Sequence, residues 1–330
     1  MKNGLFVMNP GQAGHIFPPD LRARLEQMDV VVPARAYSAA EIEAEPSLLG
    51  PVDLLFGSWG MPRLTAELLA GAPRLEAVFY AAGSVRGWVT EALWQRGIPV
   101  CSAWGANAVP VAEYTVAMVT LALKQALPQA RAMRRERSNR RHEMTGAYQS
   151  TVGLVSMGMI AQLVRERLRA YDLQVVAYDP YLTPAQARAL GITLLPLDDV
   201  FARSDVVSIH TPWLKETENL VGARQFARLK TGATLINTAR GAVLNEPELC
   251  AALAARPDVY AVLDVTWPEP PRPDSPLYEL PNVWLTPHIA GSAGNELARM
   301  GAYMVDECER LLSGQPLCWR LTQEQAAIMA

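Results

Sequence analysis

Three ionisable side chains in the second half of the sequence have the types needed for proton and hydride transfer at a carbonyl group. They are Arg240 in INTARGAVLNE, Glu269 in LDVTWPEPP and His288 in VWLTPHIAGS. A 2-keto acid presents a carboxylate and a carbonyl oxygen, so its reduction needs a cation for both groups and a proton donor for the oxygen. An arginine, a histidine and a glutamate together meet those needs.

Each of these residues can be given a chemical role. We assign Arg240 to bind the carboxylate and polarise the carbonyl, because its planar guanidinium can hold two oxygens. His288 is the general acid in reduction and the base in oxidation, since an imidazole titrates near neutral pH. Glu269 orients His288 and stabilises the imidazolium. Taken singly, the three residues are also compatible with a solvated arginine, a surface turn between prolines and an ordinary strand end.

The elements around these residues indicate a Rossmann-type α/β fold. From residue 151 to residue 290, short apolar runs alternate with helical patterns, which is typical of a doubly wound parallel sheet. The runs are almost continuously apolar, as strands covered by helices on both faces are. Arg240, Glu269 and His288 each follow one such run. We therefore expect all three at the carboxyl edge of the sheet, where such folds bind ligands.

A candidate dinucleotide loop follows the first of these strands. It reads Ser156-x-Gly158-x-x-Ala161 in place of GxGxxG. The retained glycine is the one whose missing Cβ lets the backbone approach a pyrophosphate at a helix N-terminus. The loop alone is also compatible with an ordinary βα turn, but the next strand ends at Asp179, 21 positions after Gly158. A carboxylate there can bind both ribose hydroxyls and repel a 2′-phosphate, so we expect NAD.

A shorter alternation precedes this block and predicts a second, smaller flavodoxin-like α/β domain. The chain of 330 residues, half of them hydrophobic, is long enough for two cores. We place the substrate domain at residues 1–104 and 292–330, and the NAD-binding Rossmann domain at residues 105–291. A helix is expected over residues 85–97. A further helix from about Val111, interrupted at Pro128, is expected to bridge the domains.

Taken together, the motifs resemble the D-isomer-specific 2-hydroxyacid dehydrogenase family, in particular its glyoxylate/hydroxypyruvate reductases. The similarity extends over nearly the whole chain. The matching stretches are AAGSVRGWV (81–89), ANAVPVAEYT (106–115), VGLVSMGMIA (152–161), VVSIHTPWLKETENLVG (206–222), LINTARGAV (235–243), LDVTWPEP (263–270) and NVWLTPHIAGS (282–292). The resemblance implies NAD-dependent hydride transfer to or from C2 of a small 2-keto or 2-hydroxy acid, with the D-isomer as the hydroxy acid.

The resemblance also implies binding residues. Backbone amides near Ala82, Gly83 and Ser84 would contact the substrate carboxylate, and Asp264 would lie by the nicotinamide amide. The other cofactor contacts would come from Ser156, Met157, Gly158, Met159, Ile160, Asp179, Thr211, Pro212, Thr217, Thr238, Ala239 and Ala290. Two departures from the family pattern stand out. Ser156 replaces the first glycine, which would weaken cofactor binding, and Asn245 replaces an aspartate that caps a helix, with Glu248 expected to complete a capping box.

Composition restricts the partners and the location. The formal charge of −3 with no basic face argues against nucleic acid. We expect no membrane span, because the apolar run at residues 109–123 carries Glu113 and is short for a bilayer. The N-terminus is unlike a signal peptide, and the four cysteines lack metal-binding spacing, so we expect no metal and a cytoplasmic location.

Several features leave alternatives open. The resemblance implies a homodimer formed through the helix that starts near Val111, which would explain the all-round apolar character of that helix. The arginine-rich segment 131–141 is either a solvated helix end or an attractor for an anionic ligand. A serine-regulated phosphoglycerate dehydrogenase is disfavoured, because no ACT-like regulatory domain follows the core. The alternative function is a non-catalytic NAD-binding or NAD-sensing protein on the same scaffold.

Overall fold

Two compact units make up the protein. The computed structural model describes residues 1–329; unit 1 comprises residues 1–107 and 292–329, and unit 2 comprises residues 108–291. Each unit is built on one parallel sheet with helices, which confirms the expected α/β class. The chain passes between the units within one helix and again between Gly291 and Ser292.

Unit 1 contains a five-stranded parallel sheet in the order β2-β1-β3-β4-β5. The strands are β1 Lys2–Val7, β2 Val30–Val31, β3 Leu54–Gly57, β4 Ala77–Tyr80 and β5 Val100–Ser102. The helices are α1 Ala13–Ile16, α2 Pro19–Gln27, α3 Ala39–Ala44, α4 Ala66–Ala70, α5 Glu91–Gln95, α13 Leu297–Leu312 and α14 Gln323–Ile328. Short 3-10 helices cover Pro10–Gln12, Pro46–Leu49 and Gly294–Glu296.

Both faces of this sheet are buried, as the continuous apolar runs require. Successive side chains of a strand point to opposite faces. Phe6, Phe56 and Phe79 belong to one apolar cluster, together with residues of α2 and α13. Their strand neighbours Leu55 and Val78 belong to a second cluster on the other face.

Unit 2 contains a seven-stranded parallel sheet in the order β12-β11-β10-β9-β6-β7-β8. The strands are β6 Thr151–Val155, β7 Gln174–Tyr178, β8 Thr193–Leu194, β9 Val206–Ile209, β10 Thr234–Asn237, β11 Tyr260–Leu263 and β12 Val283–Leu285. The helices are α6 Trp104–Leu123, which begins in unit 1, α7 Ala126–Glu136, α8 Met159–Leu168, α9 Pro184–Leu190, α10 Leu197–Arg203, α11 Ala223–Phe226 and α12 Glu246–Ala255. Short 3-10 helices cover Gly241–Val243 and Pro276–Tyr278.

The strand order of unit 2 creates a topological switch point. From β6 the chain builds outward through β7 and β8, then returns to β9 on the other side of β6 and continues through β10, β11 and β12. In doubly wound sheets the crevice at such a reversal, outside the carboxyl ends of the strands, binds ligands. The strands that precede Arg240, Glu269 and His288 are three direct neighbours in this order.

The helices near the unit boundary differ from those expected. The helix expected from about Val111 begins at Trp104, and the break after it falls at Gln125, which adopts a left-handed φ of 45°. Pro128 lies inside the first turn of α7, where its missing N–H has no intrahelical role to lose. The helix expected over residues 85–97 is reduced to α5, because a turn precedes it.

Because α6 starts at Trp104, it is longer than the apolar run at residues 109–123 and has the length of a membrane-spanning helix. Within residues 1–329, α6 is the one helix long and apolar enough, by length and composition alone, to cross a membrane. Half of that window is buried inside the protein. Ala112, Val119 and Leu123 pack into the apolar cluster that contains residues of β6 and β7. A core helix of this kind satisfies the same length criterion as a membrane span.

Candidate active site

Arg240 follows β10 on a turn that Asn237 organises. Asn237 is the last residue of β10 and is buried. Its Oδ1 accepts the Ala239 N–H at 3.0 Å, and its Nδ2 donates to the Arg240 carbonyl at 3.0 Å. The guanidinium donates through Nη1 to the Ala239 carbonyl at 2.6 Å. One buried amide therefore fixes the backbone from which the guanidinium extends.

His288 follows β12, and its imidazole pairs with Glu269, which follows β11. Nδ1 of His288 lies 2.6 Å from Oε1 of Glu269. Because an ionised carboxylate only accepts hydrogen bonds, Nδ1 carries the hydrogen, and Nε2 is left to exchange a proton with a ligand. The two side chains are 46% and 41% exposed. The pair is thus formed in the protein itself and remains accessible to a small molecule.

The buried carboxylate of Asp264 organises the loop that carries His288. Its Oδ1 accepts the Ile289 N–H at 2.8 Å and the Thr286 hydroxyl at 2.6 Å. Its Oδ2 accepts the Ala290 N–H at 2.9 Å. The His288 N–H donates to the Asp264 carbonyl at 3.0 Å. These bonds hold His288 at a φ of 54°, a left-handed conformation that residues other than glycine adopt infrequently.

The Arg240 and Glu269 segments are held together at two points. A Cβ on Gly241 would stand 2.0 Å from the Thr266 carbonyl carbon, so only glycine permits this backbone contact. The Glu246 carboxylate accepts the Trp267 N–H, and Ser275 Oγ donates to it at 3.3 Å. Burial raises the pKa of Glu246 above its ordinary value. Trp267 and Ser275 flank Glu269 in the chain, so the Glu246 carboxylate holds the loop on both sides of that residue.

The candidate cofactor loop lies at the switch point. Ser156 follows β6 and adopts a φ of 72°, the left-handed conformation that the glycine of the GxGxxG pattern would supply without strain. Its Oγ lies 2.9 Å from the Thr211 hydroxyl, which follows β9. The two strands on either side of the chain reversal are therefore joined by a pair of hydroxyls.

The residues at this loop fit a dinucleotide. Gly158 caps α8 with an ordinary φ of −66°, and a Cβ built on it would meet nothing within 4 Å. Neither backbone strain nor packing in the protein explains a glycine there, whereas close approach of a phosphate to the helix N-terminus does. Asp179 follows β7 and already accepts N–H groups from Met157 at 2.7 Å and Tyr181 at 2.8 Å. The Leu182 N–H also donates to it at 3.0 Å, and of the roughly four acceptor sites of a carboxylate one remains for a ribose hydroxyl.

The other expected cofactor residues lie along the same edge of unit 2. Thr217 is held there because its Oγ1 donates to the Pro212 carbonyl at 2.6 Å. The Thr238 hydroxyl lies 3.2 Å from that of Thr115 on α6. The remaining members lie at the start of α8 or within two to five residues after the end of a strand: Met159, Ile160, Thr211, Ala239 and Ala290. In residues 1–329, no three His, Cys, Asp or Glu side chains cluster as a metal site requires.

Unit 1 holds the expected substrate residues at the carboxyl end of its own sheet. Ala82, Gly83 and Ser84 follow β4. The Ser102 hydroxyl lies 2.9 Å from the Ala82 carbonyl and 2.6 Å from the Gly83 carbonyl. The Ser58 hydroxyl donates to the Ala81 carbonyl at 2.9 Å. The carbonyl groups of Ala81, Ala82 and Gly83 are therefore occupied from within unit 1.

Two further residues near this edge can be placed, His210 and the capping residue of α12. His210 directly follows β9, with Nε2 3.0 Å from Ser208 Oγ, and burial lowers its pKa to about 4. Of the two hydrogen bonds of the capping box expected at α12, one forms and the other does not. Asn245 does accept the Glu248 N–H, but the Glu248 carboxylate turns to the Ala223 N–H at 2.6 Å.

Three residues that organise the site were missed in the sequence. Asn237 gives only the weak signal of a polar residue that ends an apolar strand. Thr286 donates its hydrogen to Asp264, so the Tyr114 hydroxyl, 3.1 Å away, donates to Thr286. Glu246 looks like an ordinary acidic residue in the first turn of a helix. Its contact with the Glu269 loop has no counterpart in sequence spacing.

Comparison with known proteins gives the class of this chain. The family model for the D-isomer specific 2-hydroxyacid dehydrogenase NAD binding domain matches residues 116–290. The D-3-phosphoglycerate dehydrogenase of Mycobacterium bovis is 38% identical over 252 residues, which are 76% of this chain and 47% of that protein. The same enzyme of Archaeoglobus fulgidus is 34% identical over 257 residues, 77% of this chain and 49% of that protein. The chain thus spans about half the length of the curated relatives it matches.

Solved structures show the same architecture. The TT0316 protein from Thermus thermophilus superposes with a TM-score of 0.77 and 28% identity, covering 97% of this chain and all of that one. The NAD-complexed D-isomer specific 2-hydroxyacid dehydrogenase of Lactobacillus delbrueckii ssp. bulgaricus gives a TM-score of 0.80 at 21% identity, over 98% of this chain and all of that one. The likeness to the second protein shows the fold alone.

The chain belongs to the D-isomer specific 2-hydroxyacid dehydrogenase family. The resemblance drawn from the motifs is thereby confirmed, and NAD is the cofactor of the matched domain.

Proposed function

We propose that the protein is an NAD-dependent oxidoreductase that transfers a hydride between nicotinamide and C2 of a small 2-keto or 2-hydroxy acid. The observation that carries this proposal is the 2.6 Å distance between His288 Nδ1 and Glu269 Oε1. Glu269 follows β11, which is the neighbour of β10, the strand that Arg240 follows. Family membership supports the D-isomer as the hydroxy acid. The arrangement supplies one cation, one proton carrier and one orienting carboxylate.

The chemistry divides among these side chains as follows. Bound NADH supplies the hydride for C2 in the direction of reduction. Arg240 binds the substrate carboxylate and polarises the carbonyl oxygen. His288 gives its Nε2 proton to that oxygen, so the carbonyl gains one hydride and one proton and becomes a hydroxyl. Glu269 accepts the hydrogen bond from His288 Nδ1 and stabilises the charged imidazole before the transfer.

Binding roles are part of the same proposal. The backbone amides near Ala82, Gly83 and Ser84 bind the substrate carboxylate. Asp179 binds the adenosine ribose and selects NAD over NADP, because a 2′-phosphate would meet its negative charge. Asp264 would hold the nicotinamide amide. Gly158 and the N-terminus of α8 would hold the pyrophosphate. The remaining cofactor contacts are those of Ser156, Met157, Met159, Ile160, Thr211, Pro212, Thr217, Thr238, Ala239 and Ala290.

The primary experiment measures NADH and NADPH oxidation with glyoxylate, hydroxypyruvate, pyruvate and a bulkier 2-keto acid. We expect turnover with NADH and a preference for it over NADPH. Arg240→Ala should abolish turnover. His288→Gln should lower kcat by about 10²-fold or more if it removes general acid catalysis.

A matched histidine is available as a control for the His288 variant. His142 also pairs with a glutamate, with Nε2 3.0 Å from Oε2 of Glu136, in the segment after α7. His142→Gln should leave kcat unchanged. Full activity in Arg240→Ala would contradict the role of Arg240. Tight NAD binding without turnover of any keto acid would replace the proposal by a non-catalytic NAD-binding function.

We also propose a homodimer that buries the exposed side of α6. About half of this apolar helix is buried in the single chain, and Glu113, Ala117 and Leu121 are exposed along one side of it. A second copy of the same chain would bury this surface. Leu121→Glu should shift the sedimentation coefficient from dimer to monomer, and a monomeric wild type at micromolar concentration would contradict the proposal. The four free cysteines support a reducing, cytoplasmic location.

A further inference from the structure

Three consecutive backbone N–H groups in unit 1 have no acceptor within residues 1–329. They belong to Ala82, Gly83 and Ser84, and no hydrogen bond from their nitrogens to backbone or side-chain oxygens is formed. Ala82 is completely buried. Buried backbone N–H groups are nearly always paired, so an unpaired group next to two others indicates a place for an acceptor from a ligand.

Two buried serines determine which way these N–H groups point. Ser58 follows β3, and Ser102 ends β5, so they flank the β4 turn in the sheet order β3-β4-β5. Both are completely buried. Ser58 Oγ donates to the Ala81 carbonyl at 2.9 Å. Ser102 Oγ shares its hydrogen between the carbonyls of Ala82 and Gly83.

Because the peptide bond is planar, the direction of each bonded carbonyl also fixes the direction of the following N–H group. In a trans peptide the carbonyl and the following N–H point in opposite directions. The Ala82 and Gly83 carbonyls both point to Ser102, so the N–H groups of Gly83 and Ser84 point away from it together. The Ala81 carbonyl points to Ser58 on the opposite flank, so the Ala82 N–H points to the other side. Successive backbone N–H groups on one side of a turn bind carboxylates and phosphates.

We propose that Ser58 and Ser102 are positioning residues that set the affinity of the Ala82–Ser84 turn for the substrate carboxylate. The inference rests on the proposed function and adds to it two residues that never touch the substrate. Their effect is on binding, since the proton and hydride move elsewhere. Loss of a serine should therefore raise KM and leave kcat almost unchanged.

The chain offers a matched control. Ser204 is also completely buried, and its hydroxyl has no hydrogen-bond partner within residues 1–329. Replacing it removes a buried hydroxyl of the same size without releasing any carbonyl. Ser204→Ala should behave as wild type in every assay below.

The test compares Ser102→Ala, Ser58→Ala and Ser204→Ala in the NADH-loaded protein. Oxalate, which cannot accept the hydride readily, serves as the carboxylate probe, with its Kd measured by calorimetry and the Gly83 amide followed by ¹⁵N NMR. We expect the oxalate Kd and the KM of the best keto acid to rise about tenfold in Ser102→Ala, the effect of one lost preorganised contact of about 1.4 kcal/mol. A smaller rise is expected in Ser58→Ala, which releases one carbonyl instead of two.

The outcomes separate this inference from the proposed function. If wild type turns over no keto acid yet oxalate shifts the Gly83 amide and the serine variants weaken that shift, the proposed reaction fails and the anion site stands. If turnover occurs but Kd and KM match wild type in the folded variants, the positioning role is overturned. Equal changes in Ser204→Ala would overturn it as well. Should Ser102→Ala not fold, Ser58→Ala alone decides the question.

Discussion

The backbone of Gly241 lies directly against that of Thr266, and a Cβ at position 241 would also stand 2.2 Å from the Thr266 carbonyl oxygen. Gly241 follows Arg240, and Thr266 precedes Glu269 by three positions. One of the two contacts that set the spacing between the candidate cation and the candidate orienting carboxylate therefore involves no side chain.

Gly241→Ala should separate these two segments. We expect kcat/KM to fall by up to about 10²-fold, because displacements of about 1 Å at a reacting centre cost that much. Gly14→Ala is the control, since a Cβ there meets nothing within 4 Å. Keto acid turnover and thermal unfolding are measured on both. A Gly241→Ala protein with wild-type kinetics would show that the close contact does not set the geometry.

Asp264→Asn should disturb the loop that carries His288. An asparagine side chain presents one N–H₂ group where Asp264 accepts from Ile289, Thr286 or Ala290, so a donor meets a donor. We expect a loss of about 2 kcal/mol in the free energy of unfolding, as for a buried bond to a charged group, together with a lower kcat.

The control for this variant lies at the opposite edge of the same sheet. Asp205 precedes β9 and accepts the Thr151 N–H at 2.8 Å. Asp205→Asn should lower the free energy of unfolding in chemical denaturation without changing kcat. Equal kinetic losses in the two variants would remove the specific role of Asp264.

Substitutions of Ser156 should separate backbone strain from hydrogen bonding. Ser156→Ala keeps the left-handed φ and loses the bond to Thr211, so we expect a lower melting temperature. Ser156→Gly loses the same bond but relieves the left-handed strain, each effect being about 1 kcal/mol, so its melting temperature should stay close to wild type. Calorimetry should also show tighter NADH binding in Ser156→Gly. A glycine variant less stable than the alanine variant would contradict this account.

Stability should fall as the pH is lowered through the titration range of His210. Burial lowers its pKa from 6.5 to about 4 in the folded protein. Above 6.5 both the folded and the unfolded state hold a neutral imidazole, and between about 6.5 and 4 only the unfolded state gains the proton. The folded state is therefore disfavoured progressively over that interval. Urea denaturation of wild type and His210→Gln from pH 7 to pH 4 should show a difference that changes only there.

The sequence was sufficient for those parts of the protein that follow from periodicity. Continuous apolar runs predicted both parallel sheets, and the position of Arg240, Glu269 and His288 after three such runs predicted that they lie at the carboxyl edge. That their strands are direct neighbours is known only from the structure. The helix ends were less predictable. Pro128 looked like a breaker, but the chain breaks at Gln125, because a proline in the first turn loses no hydrogen bond.

The supporting contacts could not be predicted because they join residues distant in the chain. The Thr266 contact of Gly241, the Ala223 contact of Glu248 and the Ser102 contacts of the Ala82 turn each depend on which strands become neighbours. A single sequence gives the residue types at these positions but does not show which residues contact each other. The roles of the buried serines and of Gly241 can therefore be assigned only from the folded backbone.

The discontinuous composition of unit 1 also affects how such a protein can be reshuffled during evolution. Unit 2 is one uninterrupted stretch, residues 108–291, so a single contiguous gene segment can carry it whole into another host. Unit 1 needs both of its pieces, because Trp319 of the second piece packs closely on Gly105 of the first. A Cβ on Gly105 would stand 2.3 Å from the indole ring. A recombination event that inherits only one piece removes this contact. Exchange of unit 1 between relatives therefore requires that both of its pieces be inherited together.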